Sequence, residues 1–163
     1  MMKFKLTLGI PLLAACLGLA ACKGPVPVDV VQDGGEVYFV LEAPEEISSI
    51  RVLPRAPAGG PALLWETRHN MTTPLKDRKY PRLKQVRYGA KLAEFPVVTG
   101  PLELARDVEY VVTIELGDKF AQETFLIAGD GKLVMPSPAF QRQRGRVYSV
   151  VAGKDGSREF VRK

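Results

Sequence analysis

Cysteine and histidine are nearly absent from this chain. Two cysteines, Cys16 and Cys22, and one histidine, His69, occur among 163 residues. Zinc needs three or four His, Cys or carboxylate ligands, and the sequence holds no such cluster. A Ser-His-Asp or Cys-His arrangement would have to use His69 in WETRHNMTTP, and no GxSxG elbow precedes it. A lone histidine in such a loop reads as an exposed one. Asp130-Gly131 in AGDGK lacks the further acids and the closing Glu of a calcium loop, so it reads as a hairpin turn. P-loop and dinucleotide fingerprints are missing. Long helices are missing as well: no segment after residue 22 keeps an amphipathic period through three turns, and 13 prolines interrupt the chain. What stays open for catalysis is a pair of carboxylates brought together by the fold, and Glu66, Glu94 and Glu123 are not distinguished from the other acids. The expectation is a chain that is not an enzyme and needs no metal or cofactor.

What is there begins with the N-terminus. MMKFK carries Lys3 and Lys5, and Leu6 to Ala21 then runs 16 residues without charge. A basic n-region, an apolar h-region and small residues before a processing point form the pattern of a secretory signal peptide. With Gly9, Pro11 and Gly18 inside it, the run is short for a spanning helix, which needs about 20 apolar residues. Its ending, Leu19-Ala20-Ala21-Cys22, resembles the lipobox of bacterial lipoprotein precursors. That resemblance implies a diacylglyceryl group on the Cys22 thiol, removal of residues 1–21 and acylation of the new amino terminus. Leu13-Ala14-Ala15-Cys16 repeats the motif, but cutting there would place LGLAAC at the mature start, whereas cutting before Cys22 leaves the polar, proline-containing KGPVPVD. A Cys16–Cys22 disulfide fails because both residues fall in the signal region. Lys23 follows the cysteine where inner-membrane retention would use Asp. By the same resemblance, this favours the periplasmic face of the outer membrane. Residues 22–29 then read as lipidated cysteine and tether, spanning at most roughly 25 Å.

Removing residues 1–21 from the 163 leaves 142, enough for one domain with its own core, expected over residues 30–163. Lys3 and Lys5 leave with the signal, so the net charge falls from +5 to +3. The charges are blocked. Asp29 to Glu46 holds six acids and no Lys or Arg, whereas His69 to Lys91 holds seven bases against Asp77 alone.

The rest is patterned as strands. In VEYVVTIEL, Val108, Tyr110, Val112, Ile114 and Leu116 fall on one face, with Glu109, Thr113 and Glu115 opposite. Gly117-Asp118 and a second run, KFAQETFLI, complete a tight hairpin. EVYFVLE, ISSIRVL, ALLWET, LKQVRY and RVYSVVA read as further strands. Gly129-Asp130-Gly131 and Gly153 to Gly156 read as turns. Many short strands with turn signals between them predict an all-β antiparallel sandwich. LARDVEYVVTI, with Leu104 six residues before Tyr110, resembles the tyrosine-corner region of fibronectin type III and immunoglobulin-like domains. The resemblance implies a Tyr110 hydroxyl bonded back to upstream backbone and makes Trp65 the buried core tryptophan. Arg106 stands where many such corners carry proline.

The stretch HNMTTPLKDRKYPRLKQVRYGAK is the most distinctive mature feature. Tyrosines interleaved with cations would suggest nucleic acid in a cytosolic protein. At a periplasmic membrane face that partner is not expected. A solvated connection, an acidic protein partner and an anionic lipid surface remain. As a partner surface it would use Lys76, Arg78, Lys79, Arg82, Lys84 and Arg87. The overall layout is a lipobox, GEVYFVLEAPEEISSIRV, a tryptophan strand, VEYVVTIELGDKFAQETFLI and GDGKLV. From Val30 to Val134 it resembles the small periplasmic lipoproteins proposed as immunity proteins of type VI secretion effectors. That implies a non-catalytic inhibitor held by its lipid where the toxin acts. The alternative is a structural or secretion-apparatus envelope lipoprotein.

Overall fold

A computed structural model describes residues 25–56, 62–135, 148–153 and 157–163. Cys16 and Cys22, and the middle of the turn at 154–156, lie outside the described residues. The described chain is all-β with one short 3-10 turn, Leu75–Asp77. Its strands are β1 (Val28–Asp33), β2 (Glu36–Glu46), β3 (Ser49–Pro54), β4 (Trp65–Arg68), β5 (Arg82–Arg87), β6 (Val97–Thr99), β7 (Glu109–Leu116), β8 (Lys119–Ile127), β9 (Leu133–Val134), β10 (Tyr148–Ala152) and β11 (Arg158–Arg162). They form a six-stranded sheet in the order β6-β4-β3-β7-β8-β9, a three-stranded sheet β1-β2-β5, and a two-stranded ribbon β10-β11. All of these pairings are antiparallel.

The expected alternation in β7 holds: Tyr110, Val112, Ile114 and Leu116 are buried and the residues between them half-exposed. The two larger sheets face each other over a core of Val28, Val30, Phe39, Leu41, Ile50, Val52, Trp65, Val112, Ile114 and Phe125. Trp65 and Phe39 stack at 6.3 Å between ring centres, and Phe125 meets Phe39 edge-on at 5.9 Å. Such aromatic pairs across a sandwich add roughly 0.5–1.5 kcal/mol each beyond their area. Outside the core, Glu109 and Glu115 pair with Arg55 and Arg51 at 2.9 Å. Exposed pairs of this kind contribute only about 0–1 kcal/mol.

Three features depart from the sequence reading. The tether is shorter than expected, because β1 begins at Val28 and Val26 already bridges Ala121 of β8. Alternating Val26, Val28 and Val30 supply an apolar face, and proline between them is tolerated at a sheet edge. Gly34 and Gly35 then turn β1 into β2 with φ of 57° and 84°, the left-handed pair that a two-residue type I′ hairpin requires.

The second departure is β2, which is buried on both sides from Val37 to Leu41. Phe39 and Leu41 enter the core, while Tyr38 and Val40 are covered by the β10-β11 ribbon. Phe160 seals that outer layer at 4.8 Å from the Tyr38 ring. Its amide donates to the Gln85 side-chain oxygen Oε1 at 3.0 Å, and Arg158 pairs with Asp33 at 2.7 Å. The Tyr148 hydroxyl donates to Asp29.

We expect Phe160→Ala to undock this ribbon rather than unfold the sandwich. A buried Phe→Ala change typically costs about 3–5 kcal/mol, but the loss is capped at the ribbon's own docking free energy. Hydrogen exchange should show lost protection in β10 and β11 with β7 and β8 unchanged. Uniform loss across all strands would mean that the ribbon folds as one unit with the core.

The third departure is His69, expected in an exposed loop. It is buried, with its ring edge-on to Tyr80 at 5.2 Å and Phe95 at 6.0 Å and its Nδ1 3.0 Å from the Asn70 carbonyl oxygen. Two aromatic side chains from the segments that follow fold back over it, which no local pattern around residue 69 encodes.

Candidate binding surfaces

The sandwich has two dissimilar ends, and the strand directions define them. At one end, the Val26 amide donates to Phe120, Ser48 to Glu115, and His69 to Ser48. Ser49 pairs with Glu115 and with Arg68. The entry of the domain, the Gly117-Asp118 turn and the loop after β4 therefore share one end. We refer to it as the entry end. The far end lies about 27 Å away along β8, at roughly 3.4 Å per residue.

The far end carries most of the candidate cleft. It is a shallow space of about 530 Å³ lined by Gln32, Glu36, Arg87, Tyr88, Leu104 and Arg106, among others. The tyrosine corner builds its wall. The Tyr110 hydroxyl accepts from the Ala105 amide at 2.8 Å and donates to the Ala105 carbonyl at 3.3 Å. This is the upstream bond that the immunoglobulin-like resemblance implies, reached five residues back. Asp107 supports the bend at φ 59°, its amide donating to Ile127 at 2.7 Å, and Arg106 reaches the Gly129 carbonyl at 2.8 Å. The Tyr88 hydroxyl donates to the Leu102 carbonyl at 2.7 Å, and burial pushes this phenol far above its ordinary range. Gly100 lets the 98–102 segment pass close to β4: with φ 72°, an added Cβ would lie 2.0 Å from the Leu64 carbonyl oxygen. Glycine is thus required there.

The six cations expected at a partner surface do not form one patch. Arg78 is spent within its own loop, donating to the Thr73 carbonyl at 2.8 Å and the Met71 carbonyl at 2.9 Å. Lys76 and Lys79 stand exposed beside it at the entry end. Arg82, at the start of β5, donates to the Pro44 carbonyl at 3.1 Å. Lys84 is half-buried in mid-strand. Arg87 closes β5 at the far end, bridged to Glu36 at the rim of the cleft. A six-residue strand of roughly 17 Å separates the two ends of this series.

The acids are also dispersed. Glu123 pairs with Val112, Val112 with Val52, and Val52 with Trp65, so Glu123 shares the inner face of the sheet with the tryptophan. Glu66, next to Trp65 in the strand, faces the other way, and Glu94 is exposed in the loop after β5. These three do not converge. Glu123 is nonetheless the acid that sequence reasoning underrated. It is buried between Ala121 and Phe125 and accepts the Thr124 amide at 2.8 Å. Burial, with nearby Asp29 adding to it, pushes its carboxyl above the usual range despite that amide. Only its alternation with Ala121 and Phe125 could have revealed it.

Glu36 shifts the opposite way. The Tyr38 hydroxyl, donating at 2.7 Å, and then the Arg87 guanidinium hold its carboxyl below the usual range. Side-chain carboxyl NMR should find Glu123 titrating above about 4.3 and Glu36 below it. The linkage signs follow. Glu123 contributes stability that is fully present below the unfolded value and is lost as pH rises through its folded value. Glu36 contributes stability that is present above the unfolded value and is lost as pH falls through its folded value. Equal midpoints would remove both assignments.

Among the described residues, no group of three or more His, Cys, Asp or Glu side chains is placed to hold a metal ion, and no helix is long and apolar enough to cross a membrane. No family model matches this chain, and neither the curated proteins nor the solved structures give a significant match.

Proposed function

We propose that this chain is a lipid-anchored envelope protein whose β-sandwich binds a protein partner and catalyses no reaction, acting as an inhibitor of a delivered toxin. One observation carries the reading. The chain enters the fold at one end, four residues after the lipobox-like Cys22, and the cleft opens at the other. A lipid on Cys22 would hold the entry end at the outer membrane and turn the far-end loops toward the periplasm. Arg87, Arg106, Glu36 and Glu103 give that end charges of both signs, suited to selecting one partner by complementarity. The resemblance to type VI immunity lipoproteins supplies the toxin as the class of partner. A structural envelope lipoprotein is the second reading, and the same end-to-end polarity accommodates it.

Mass spectrometry of the mature N-terminus, followed by crosslinking in the same membranes, tests this. An acylated Cys22 together with one soluble protein crosslinked to the far end supports the inhibitor. Co-isolation with membrane machinery instead selects the structural reading. A soluble chain with a free Cys22 thiol overturns the anchor. Charge reversal at Arg87, at the rim of the cleft, should slow association with the partner more than it speeds dissociation, since rim charges act chiefly on encounter.

A further inference from the structure

We infer that the loop after β4 is a second, non-covalent contact with an anionic bilayer surface, seating the entry end on the membrane to which Cys22 is proposed to be tethered. The inference rests on that anchoring for its orientation, but its own evidence is separate.

The loop shows two large apolar side chains to solvent, Met71 at 58% and Leu75 at 74% exposure, the latter the most exposed of the large apolar residues described. Neither is left loose by its backbone. The Asn70 side-chain oxygen accepts from the Thr72 amide at 3.0 Å and the Thr72 hydroxyl at 2.7 Å. Arg78 clamps the Met71 and Thr73 carbonyls from the other side, and Leu75 heads the 3-10 turn. Held apolar tips of this kind lose little further entropy when they enter an interface.

Their surroundings fit a headgroup layer. From Arg68 to Lys79 the loop carries Arg68, Lys76, Arg78 and Lys79 against Asp77 alone. Around it at this end, Lys119 sits beside Asp118, and Arg82 pairs across strands with Glu46 next to Glu45. The excess positive charge thus belongs to the loop. Phe120, 43% exposed, lies at the same end, and its carbonyl accepts the Val26 amide at 2.8 Å.

Distances favour a bilayer over a protein occupant. Cys22 is four residues from Val26, at most about 14 Å of extended chain. Four strand spacings of about 4.8 Å separate Val26 from the loop across the end of the sheet, roughly 19 Å. A domain tethered so closely by one edge of its end can bring the whole end to the headgroups. A protein partner would have to fit into the same gap. Exposed apolar tips flanked by lysines match the interfacial layer in both chemistry and position.

The test uses the full chain, expressed with its native N-terminus, and two positions for a reporter. Leu75→Trp and Glu103→Trp place an indole at the entry and far ends, and buried Trp65 supplies the same background in both. The proteins are reconstituted into vesicles containing phosphatidylglycerol and brominated lipid. We expect a blue shift and strong quenching at position 75 and neither at position 103. Removing charge with Lys76→Gln and Lys79→Gln should weaken vesicle binding of the unacylated Cys22→Ser chain by about fivefold for each cation at low salt.

The mass of the N-terminal fragment separates the two readings. Acylated protein without quenching at position 75 overturns the loop contact while the anchor stands. Quenching at position 75 in a chain found unacylated supports the loop contact while the anchor falls. Equal quenching at both positions would mean that the domain lies on its side, and would also overturn it.

Discussion

Trp65→Ala should lower the unfolding free energy by about 3–5 kcal/mol, the usual cost of truncating a large buried aromatic side chain. With domains of this size stable by only about 5–15 kcal/mol, the variant would stand near the edge of folding. Trp65 is fully buried, stacked on Phe39 and met edge-on by Tyr88 at 5.3 Å, so its loss opens a cavity between the two sheets. Neighbouring strands are cross-linked by the β3–β4 and β3–β7 pairings and cannot readily collapse into it. Trp65→Phe is the informative companion. The indole N–H is buried with no hydrogen-bond partner among the described residues, so replacing it gives up no bond. Phenylalanine also keeps much of the ring contact. We expect less than half the alanine cost for it, read as a shift in the urea midpoint at unchanged slope. Equal costs for both variants would mean that the indole N–H has an acceptor and that packing is not the main term.

The same residue shows how far local pattern reaches. Trp65 in ALLWET and Tyr110 in VEYVVTIEL were legible as core because each sits in an apolar strand with turn signals beside it. Period-two alternation reports which face is buried without knowing what covers it. The all-β sandwich followed from those strands, and the tyrosine corner was implied by the resemblance of LARDVEYVVTI to fibronectin type III and immunoglobulin-like domains. Alternation is silent about a second layer. EVYFVLE gave β2, but its unbroken apolar run could not say that Phe160, some 120 residues on, seals its outer face. REFVR itself carries too few apolar residues to announce a strand. Val28 and Asp29, the first residues of β1, were read as tether because Pro25 and Pro27 suggested linker, although Val26, Val28 and Val30 fit an edge.

The candidate surfaces were less legible, for a related reason. Seven bases in one stretch look like one patch in the sequence. A strand running the length of the sandwich distributes them to both ends, and two of the arginines are consumed by backbone carbonyls. Nothing in the sequence around Arg78 and Arg82 points to their carbonyl partners, which appear only once the loop and β2 are in place. His69 was similarly hidden, since the rings that cover it come from Tyr80 and Phe95.

Cys22→Ser should move the protein from the membrane to the soluble fraction, and the dependence on salt gives that result its meaning. Buried methylenes contribute about 0.8 kcal/mol each, so one myristoyl chain gives a marginal association of about 10⁴ M⁻¹, whereas two or more chains anchor stably. Removing every acyl chain at once should therefore change the membrane-to-soluble ratio by several orders of magnitude. Wild-type protein should resist a high-salt wash, because hydrocarbon burial is not screened. What remains for Cys22→Ser is the loop contact, through Met71, Leu75 and the cations around them. That residual binding should appear at low salt on anionic vesicles and fade as the Debye length shrinks from about 30 Å at 0.01 M to about 8 Å at 0.15 M. A wild-type chain that resists high salt but is found by mass with residues 1–21 attached and Cys22 unacylated would mean that residues 6–21 are retained as the anchor and that the lipobox assignment is wrong. A wild-type chain released by salt alone would mean that the domain is held only at its surface.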